Sequence, residues 1–192
     1  PKKGKPLPYF IKEREMDSLL DGSKFPDSYE GKRDYTILLT FYSTGIRLAE
    51  LIGLKIADVD LNQMTLVVTG KRNKQRIVPF GDEMKSSLTD YLAIRHDTFP
   101  ETVGEELFLT SSGEMMCPSG VRNMVKNYLG MVTTIQKRSP HVLRHSFATA
   151  MLNHGAEIQV VKELLGHESL STTEIYTHIT SDYLKSEYLS IS

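Results

Sequence analysis

Most of the chain carries hydrophobic residues three or four positions apart, which is the spacing of an amphipathic helix. A short helix is predicted from Arg47 to about Gly53, where glycine favours an end. Ser139 suits an N-cap and Pro140 a first turn, so another helix is predicted to start there. The other ranges with helical spacing are about 11–20, 32–43, 82–95, 118–129 and 157–165.

Two short runs have a different pattern, and the first, Met64–Thr69, is rich in β-branched residues. Met64–Thr69 and Gln75–Pro79 flank a polar connection of five residues, which predicts an antiparallel hairpin. Lys71 lies at its tip or at the end of its first strand. A further short strand is predicted at Leu107–Leu109. The predicted fold class is therefore mainly α with a small antiparallel β-sheet or hairpin.

The composition is that of one globular domain. The chain has 192 residues, of which 40% are hydrophobic and 24% charged. No apolar run approaches the roughly 18 residues of a membrane-spanning helix, and no signal-peptide pattern opens the chain. Cys117 is a single cysteine, which excludes an internal disulfide and fits a reducing cytosol. We therefore expect a cytoplasmic protein that does not bind membranes.

The two ends of the chain differ in composition from its middle. Residues 1–8 start with proline, not methionine, and are basic and proline-rich, so we expect the remnant of an interdomain linker. The globular domain is expected over residues 9–180. Residues 181–192 are expected to form a tail with apolar positions at Tyr183, Leu184, Tyr188, Leu189 and Ile191.

The net charge does not identify a partner. The formal charge of −1 and the pI of about 6.7 argue mildly against nucleic-acid binding. Screening limits charge effects to about 8–10 Å, however, so the local distribution matters more than the sum. Cations gather in the hairpin, at Lys71, Arg72, Lys74 and Arg76.

The segment Ser139–Thr149 contains the clearest chemical signal. His141 and Arg144 are three residues apart, so they share one helix face, within the first turns. The positive end of a helix favours an anion there, and a guanidinium with an imidazole can bind a phosphate. Alone, the pair could also be a chance polar cap. His141 and His145 have zinc-ligand spacing, but Val142 stands where a zinc protease has glutamate, so no metal is expected.

At this point the chain resembles the tyrosine recombinases, or phage-type integrases. Five elements carry the resemblance in the family's order, over residues of about 8 to 180. They are Ser43-Thr-Gly-Ile-Arg-Leu-Ala-Glu50, Gly70-Lys71, His141-Val-Leu-Arg144, Leu165-Gly-His167 and Thr172-Thr-Glu-Ile-Tyr-Thr-His178. The resemblance implies the catalytic-domain fold of that family.

The resemblance implies that a tyrosine attacks a DNA phosphodiester, giving a 3′-phosphotyrosine and a free 5′-hydroxyl. Tyr176 is the expected nucleophile, and the capping-box pattern of Ser171 and Glu174 puts it early in a helix. A tyrosine of pKa about 10 is only about a thousandth ionised at pH 7, so it needs a base or a positive site. His141 is the candidate base and Lys71 the candidate acid for the leaving oxygen.

The other site residues have supporting roles in this interpretation. Arg47 and Arg144 are expected to bind the non-bridging oxygens, and His167 to donate a further hydrogen bond. Glu50 is expected to orient Arg47, and His145 to pack behind the site. The expected DNA-binding residues are Arg72, which stands where many relatives have glycine, Lys74 and Arg76. Because the phosphotyrosine conserves the bond energy, no cofactor is expected.

The expected partner is double-stranded DNA. Members of the family generally act as tetramers on two duplexes, so the resemblance implies a homotetramer for the full-length protein and a monomer for this chain alone. Three alternatives remain at the level of the sequence. They are a DNA-binding module with a helix-turn-helix over residues 155–177, an inactive relative of the same fold, and a type IB topoisomerase.

Overall fold

The computed structural model describes residues 9–100 and 104–166, and this part of the chain is mainly helical. Three short strands, β1 (Val59–Asp60), β2 (Thr65–Thr69) and β3 (Gln75–Pro79), form one small antiparallel sheet. The predicted fold class is therefore confirmed. The α-helices in the described residues are α1 (Glu13–Leu20), α2 (Tyr29–Thr44), α3 (Leu48–Ile52), α4 (Asp82–Thr98), α5 (Pro118–Leu129), α6 (Pro140–Asn153) and α7 (Ile158–Leu165).

Helix α2 runs through the centre of the hydrophobic core. It begins at Ser28, whose side chain accepts a hydrogen bond from the Gly31 N–H at 3.1 Å. Ile37 and Phe41 are completely buried in it, and burial of a side chain of this size stabilises the fold by about 1.5–3 kcal/mol. The helix packs against both α4 and α6. It therefore fixes the distance between these two helices.

The predicted hairpin is confirmed as β2 and β3. Thr65 pairs with Pro79, and Thr69 pairs with Gln75, so the connection of five residues closes the hairpin in register. Strand β1, which was not predicted, adds a third strand through the pairing of Val59 with Leu66. The side chains of Leu66, Val68 and Val78 are buried, so the inner face of the sheet joins the core.

The prediction of a strand at Leu107–Leu109 is wrong. These residues are fully buried, but only isolated bridges flank them, between Lys55 and Glu106 and between Leu109 and Met115. Side chains bind the two carbonyls that a neighbouring strand would otherwise pair, while the Leu107 N–H donates to the Leu54 carbonyl at 2.8 Å. The Leu107 carbonyl accepts hydrogen bonds from Tyr91 (2.8 Å) and Arg95 (3.2 Å), and the Leu109 carbonyl accepts from Tyr29 (2.8 Å) and Arg33 (3.1 Å).

Several predictions concern residues that the structure does not describe. They are the linker remnant over residues 1–8, the tail over 181–192, the second half of the helix-turn-helix alternative and the helix predicted to carry Tyr176. These stay predictions. Over the described residues, none of the helices has the length and apolar character needed to cross a membrane.

Candidate active site

A cavity of about 450 Å³ brings three of the predicted catalytic residues together. Arg47, His141 and Arg144 come from two segments that are almost a hundred residues apart, and all three line it. The walls come from the start of α3, the start of α6 and the start of α5. The complete lining is Ile46, Arg47, Leu48, Ala49, Pro118, Arg122, Ser139, Pro140, His141 and Arg144.

The turn between α2 and α3 brings Arg47 to the cavity. Gly45 ends α2 in the left-handed conformation, with φ +66°, which glycine adopts without strain. A side chain at Gly45 would also clash with Phe147 and Leu165, since an added Cβ would lie 2.4 and 2.7 Å from their side chains. Arg47 then precedes α3, and its side chain is exposed at the cavity.

Arg144 is the buried counterpart of Arg47. It is only 3% exposed, and its guanidinium donates hydrogen bonds to the carbonyls of Gly45 and Leu165, the latter at 2.7 Å. These bonds connect α6 to the turn before α3 and to the end of α7. The planar guanidinium thus has a fixed position, and Arg144 lines the cavity together with Arg47 and His141.

His141 lies in the first turn of α6, where the helix dipole is positive. Ser139 caps this helix by accepting a hydrogen bond from the Val142 N–H at 3.4 Å. Desolvation of the ring, followed by the positive charges of Arg144, Arg47 and Lys137, lowers the pKa of His141 below its ordinary value of 6.5. The lowered pKa favours the neutral imidazole, the form that can accept a proton.

His145 lies one helical turn behind His141. Its side chain is buried, at 8% exposure, and the two rings meet edge to face with centroids 4.3 Å apart. In the described residues, no group of three or more His, Cys, Asp or Glu side chains could hold a metal ion. The zinc-ligand spacing of these two histidines therefore has no third ligand among them.

Glu50 is buried below the cavity and holds the backbone of Arg47. Its Oε1 accepts a hydrogen bond from the Arg47 N–H at 2.8 Å. Both carboxylate oxygens also accept hydrogen bonds from the guanidinium of Arg76. Burial opposes ionisation of Glu50, but the hydrogen bonds from Arg76 and Arg47 and their charges outweigh it and hold its pKa below the ordinary value.

The four hairpin cations do not share one environment. Lys71, Arg72 and Lys74 are exposed at or beside the tip, and Lys71 is not among the residues that line the cavity. Arg76 points to the inner face of the sheet, where it binds Glu50 and donates to the Leu164 carbonyl at 2.9 Å. Its predicted contact with DNA stays a prediction, and the structure gives it contacts inside the fold.

His167 and Tyr176 lie outside the described residues. Six of the nine tyrosines are described, and none of these six lines the cavity. Desolvation raises the pKa of Tyr29, Tyr35, Tyr42, Tyr91 and Tyr128, with Tyr42 at about 12, which makes ionisation of these five harder. The described tyrosines therefore offer no candidate nucleophile that lines this cavity, and the assignment to Tyr176 stays a prediction.

Arg122 is a cavity residue that the sequence analysis did not identify. Helix α5 buries Val121, Val125 and Leu129, which are four residues apart, and leaves Arg122 and Lys126 exposed. The helical period could have revealed this basic face. The position of Arg122 in the same cavity as Arg47 and His141 could not be derived from the helical period. It depends on how α5 packs against α3.

Comparisons with known proteins identify the family of this chain. The model of the phage integrase family matches residues 9–182. Tyrosine recombinase XerC of Chlorobaculum parvum is 43% identical to this chain, in an alignment that covers 98% of the chain and 62% of the relative. Tyrosine recombinase XerC of Pelotomaculum thermopropionicum is 39% identical, with 98% and 63% covered. The chain spans less than two thirds of the length of these relatives.

Solved structures show the same fold. The crystal structure of XerA recombinase is 34% identical, with a TM-score of 0.81 over 99% of this chain and 65% of that one. XerH site-specific recombinase, in a post-cleavage complex with its palindromic difH substrate, is 27% identical, with a TM-score of 0.84 over 97% and 54%. The predicted fold of a tyrosine recombinase catalytic domain is thus confirmed. On sequence and structure together, this chain belongs to the phage integrase family.

Proposed function

We propose that this chain is the catalytic domain of a site-specific DNA recombinase that cuts and rejoins strands through a 3′-phosphotyrosine. The observation that carries the proposal is the cavity in which Arg47, His141 and Arg144 meet at the positive end of α6. Two guanidinium groups suit the non-bridging oxygens of a phosphodiester, and a neutral imidazole suits the transfer of a proton.

The proposed reaction has one bond formed and one broken at phosphorus. The Tyr176 oxygen attacks the phosphorus and gives its proton to His141, while the bond to the 5′-oxygen breaks. Lys71 donates a proton to that oxygen, which leaves as a free 5′-hydroxyl. Arg47, Arg144 and His167 bind the non-bridging oxygens, whose charge grows in the transition state. The reverse sequence of steps rejoins a strand.

Double-stranded DNA is the proposed substrate. XerH has been captured in a complex with its difH substrate after cleavage, and its fold covers nearly all of this chain. Arg122 beside the cavity, with Arg72 and Lys74 at the hairpin tip, provides exposed cations for neighbouring phosphates. We propose that the full-length protein acts as a homotetramer on DNA, in the cytoplasm, and that this chain alone is monomeric.

The test uses labelled duplexes with a nick close to candidate sites in the DNA that flanks the gene. Cleavage beside a nick releases a short fragment, which traps the covalent intermediate. We expect a protein–DNA adduct that survives denaturation with the wild type and with Tyr183→Phe, and none with Tyr176→Phe. An adduct with Tyr176→Phe contradicts the assignment of the nucleophile. Relaxation of supercoiled DNA without site preference would instead indicate a type IB topoisomerase.

A further inference from the structure

Arg76 and Glu50 form a bidentate ion pair inside the fold. The side chain of Glu50 is 4% exposed and that of Arg76 is 15% exposed. Arg76 Nη1 donates to Glu50 Oε2, and Nη2 donates to Oε1 at 3.0 Å. The remaining donor, Nε, binds the carbonyl of Leu164 in the last turn of α7 at 2.9 Å. All three nitrogens of this guanidinium are therefore used within the chain.

The pair is bonded to one backbone segment and lies close beside two others, each of which holds or adjoins a predicted catalytic residue. The first is Arg47 itself, whose N–H donates to Glu50 Oε1 at 2.8 Å. The second is Gly70, next to Lys71, where an added Cβ would lie 3.1 Å from Glu50 Oε2. The third is Gly166, next to His167, where an added Cβ would lie 3.3 Å from Arg76 Nη1.

This arrangement uses features that lysine or a neutral residue would lack. A planar guanidinium binds both oxygens of one carboxylate and still has a third donor in the same plane. Strand β3 supplies Arg76, α3 supplies Glu50 and α7 supplies Leu164, so the pair joins three elements. The exposed hairpin cations Lys71 and Lys74 have no comparable contact in the described residues.

We propose that Arg76 is a positioning residue that, through Glu50, sets the backbone of Arg47, the base of the Lys71 hairpin and the end of α7 relative to one another. It does not touch the DNA in this role. Catalysis depends on the placement of the cationic groups to within about 1 Å, so loosening one of these segments slows the reaction without unfolding the protein. The catalytic part of this inference rests on the proposed function, whereas the geometric part does not.

The first measurement is backbone amide exchange by NMR, well below the melting temperature. In Arg76→Gln we expect exchange at the Arg47 and Gly166 N–H groups to be about tenfold faster or more, because their supporting contacts weaken. Exchange at Phe99, whose N–H bonds to Arg95 at the far end of α4, should change by less than about twofold. Lys74→Gln, in the same hairpin, is the matched control and should change none of them.

The second measurement is single-turnover cleavage of a nicked duplex at saturating protein. We expect Arg76→Gln to reduce the rate by roughly 100-fold and the affinity for the duplex by less than about threefold. Arg76→Lys retains the charge and should recover part of the rate, and it serves as the test variant if Arg76→Gln fails to fold. Glu50→Gln should reproduce the faster exchange at Arg47.

Two results would overturn the inference. Equal acceleration at Arg47, Gly166 and Phe99 would mean that Arg76 only contributes to global stability. A loss of affinity with an unchanged rate at saturation would mean that Arg76 contacts DNA directly. If the wild type cleaves no duplex, the proposed function fails by itself, and the exchange data still decide whether Arg76 positions these segments.

Discussion

The protonation of His141 depends on groups that the fold brings to it. Desolvation acts first, and the charges of Arg144, Arg47 and Lys137 act in the same direction, so the pKa of its imidazole is lowered. The cationic groups that can bind a phosphate therefore also keep the neighbouring base unprotonated near neutral pH. The two requirements of the proposed reaction, a positive site and a neutral base, are met by the same arrangement.

We expect the His141 imidazole of the wild type to titrate below 6.5 when followed by NMR of the ring carbons. Replacing Arg47 by glutamine should raise the pKa of His141, because one of the charges that oppose its protonation is removed. Arg14→Gln, on the exposed side of α1, is the control and should leave the titration unchanged. A pKa of His141 at or above 6.5 in the wild type would contradict the interpretation.

The lowered pKa of His141 also links its protonation to stability. The unfolded chain binds this proton near pH 6.5, whereas the folded chain binds it only at lower pH. The contribution of His141 to the free energy of unfolding is therefore fully present above pH 6.5. It decreases as the pH falls through 6.5 towards the pKa of the folded state. His141→Gln lacks this titrating group, so its melting temperature should fall less between pH 7 and pH 5 than that of the wild type. Thermal unfolding at the two pH values would measure the difference.

Among the secondary-structure elements, those with strong local signals were predictable. Ser139 and Pro140 marked the start of α6, and the β-branched runs marked β2 and β3. Strand β1 has only two residues, too few for a pattern. Leu107–Leu109 has the composition of a strand, but the bonds that replace a strand partner come from side chains far away in sequence.

The position of Arg76 could be predicted from the pattern within its strand, but its binding partner could not. Alternation along β3 puts Arg76 on the same face as the buried Val78, so an inward-facing, half-buried cation was deducible from the sequence. Its partner was not deducible, because Glu50 lies 26 residues earlier, on another element. The pairs that hold the candidate site together are of this long-range kind, whereas the catalytic residue types could be recognised from short motifs.

One residue at the hairpin tip, Arg72, has a backbone conformation that is unfavourable for most side chains, and a substitution can measure the resulting loss of stability. Arg72 has φ +60° and ψ +30°, in the left-handed region, where β-branched side chains are strongly disfavoured. We expect Arg72→Val to lower the free energy of unfolding by about 1 kcal/mol more than Lys74→Val, and Arg72→Gly to leave it unchanged or higher. Urea denaturation would measure all three variants.

Lys74 is the matched position for this comparison. It is also exposed and positively charged, but its backbone is extended, with φ −73° and ψ 119°, a conformation that suits valine. Because both valine variants lose one hairpin charge, a difference between them reports the backbone. Equal losses of stability in Arg72→Val and Lys74→Val would show that the left-handed backbone of Arg72 does not reduce stability.

For the molecule as a whole, the net charge of −1 conceals a local concentration of cations. The cavity contains three arginines from three parts of the chain. Arg47 comes from the turn before α3, Arg122 from α5 and Arg144 from α6. The sequence showed the hairpin cluster because its members are adjacent, and the family resemblance implied that Arg47 and Arg144 meet at one phosphate. It could not show that Arg122 joins them. Only the packing of the helices produces that concentration.

The salt dependence of DNA binding should reveal whether Arg122 belongs to the DNA-binding surface. Each phosphate contact contributes about 0.9 to the slope of log affinity against log salt, because binding releases a counterion. With a duplex of arbitrary sequence and fluorescence anisotropy, we expect Arg122→Gln to reduce the magnitude of this slope by about 0.9. Arg14→Gln removes the same charge from a helix that does not line the cavity, so its slope should equal that of the wild type. An unchanged slope with Arg122→Gln, or equal reductions in both variants, would mean that the DNA does not cross the cavity beside α5.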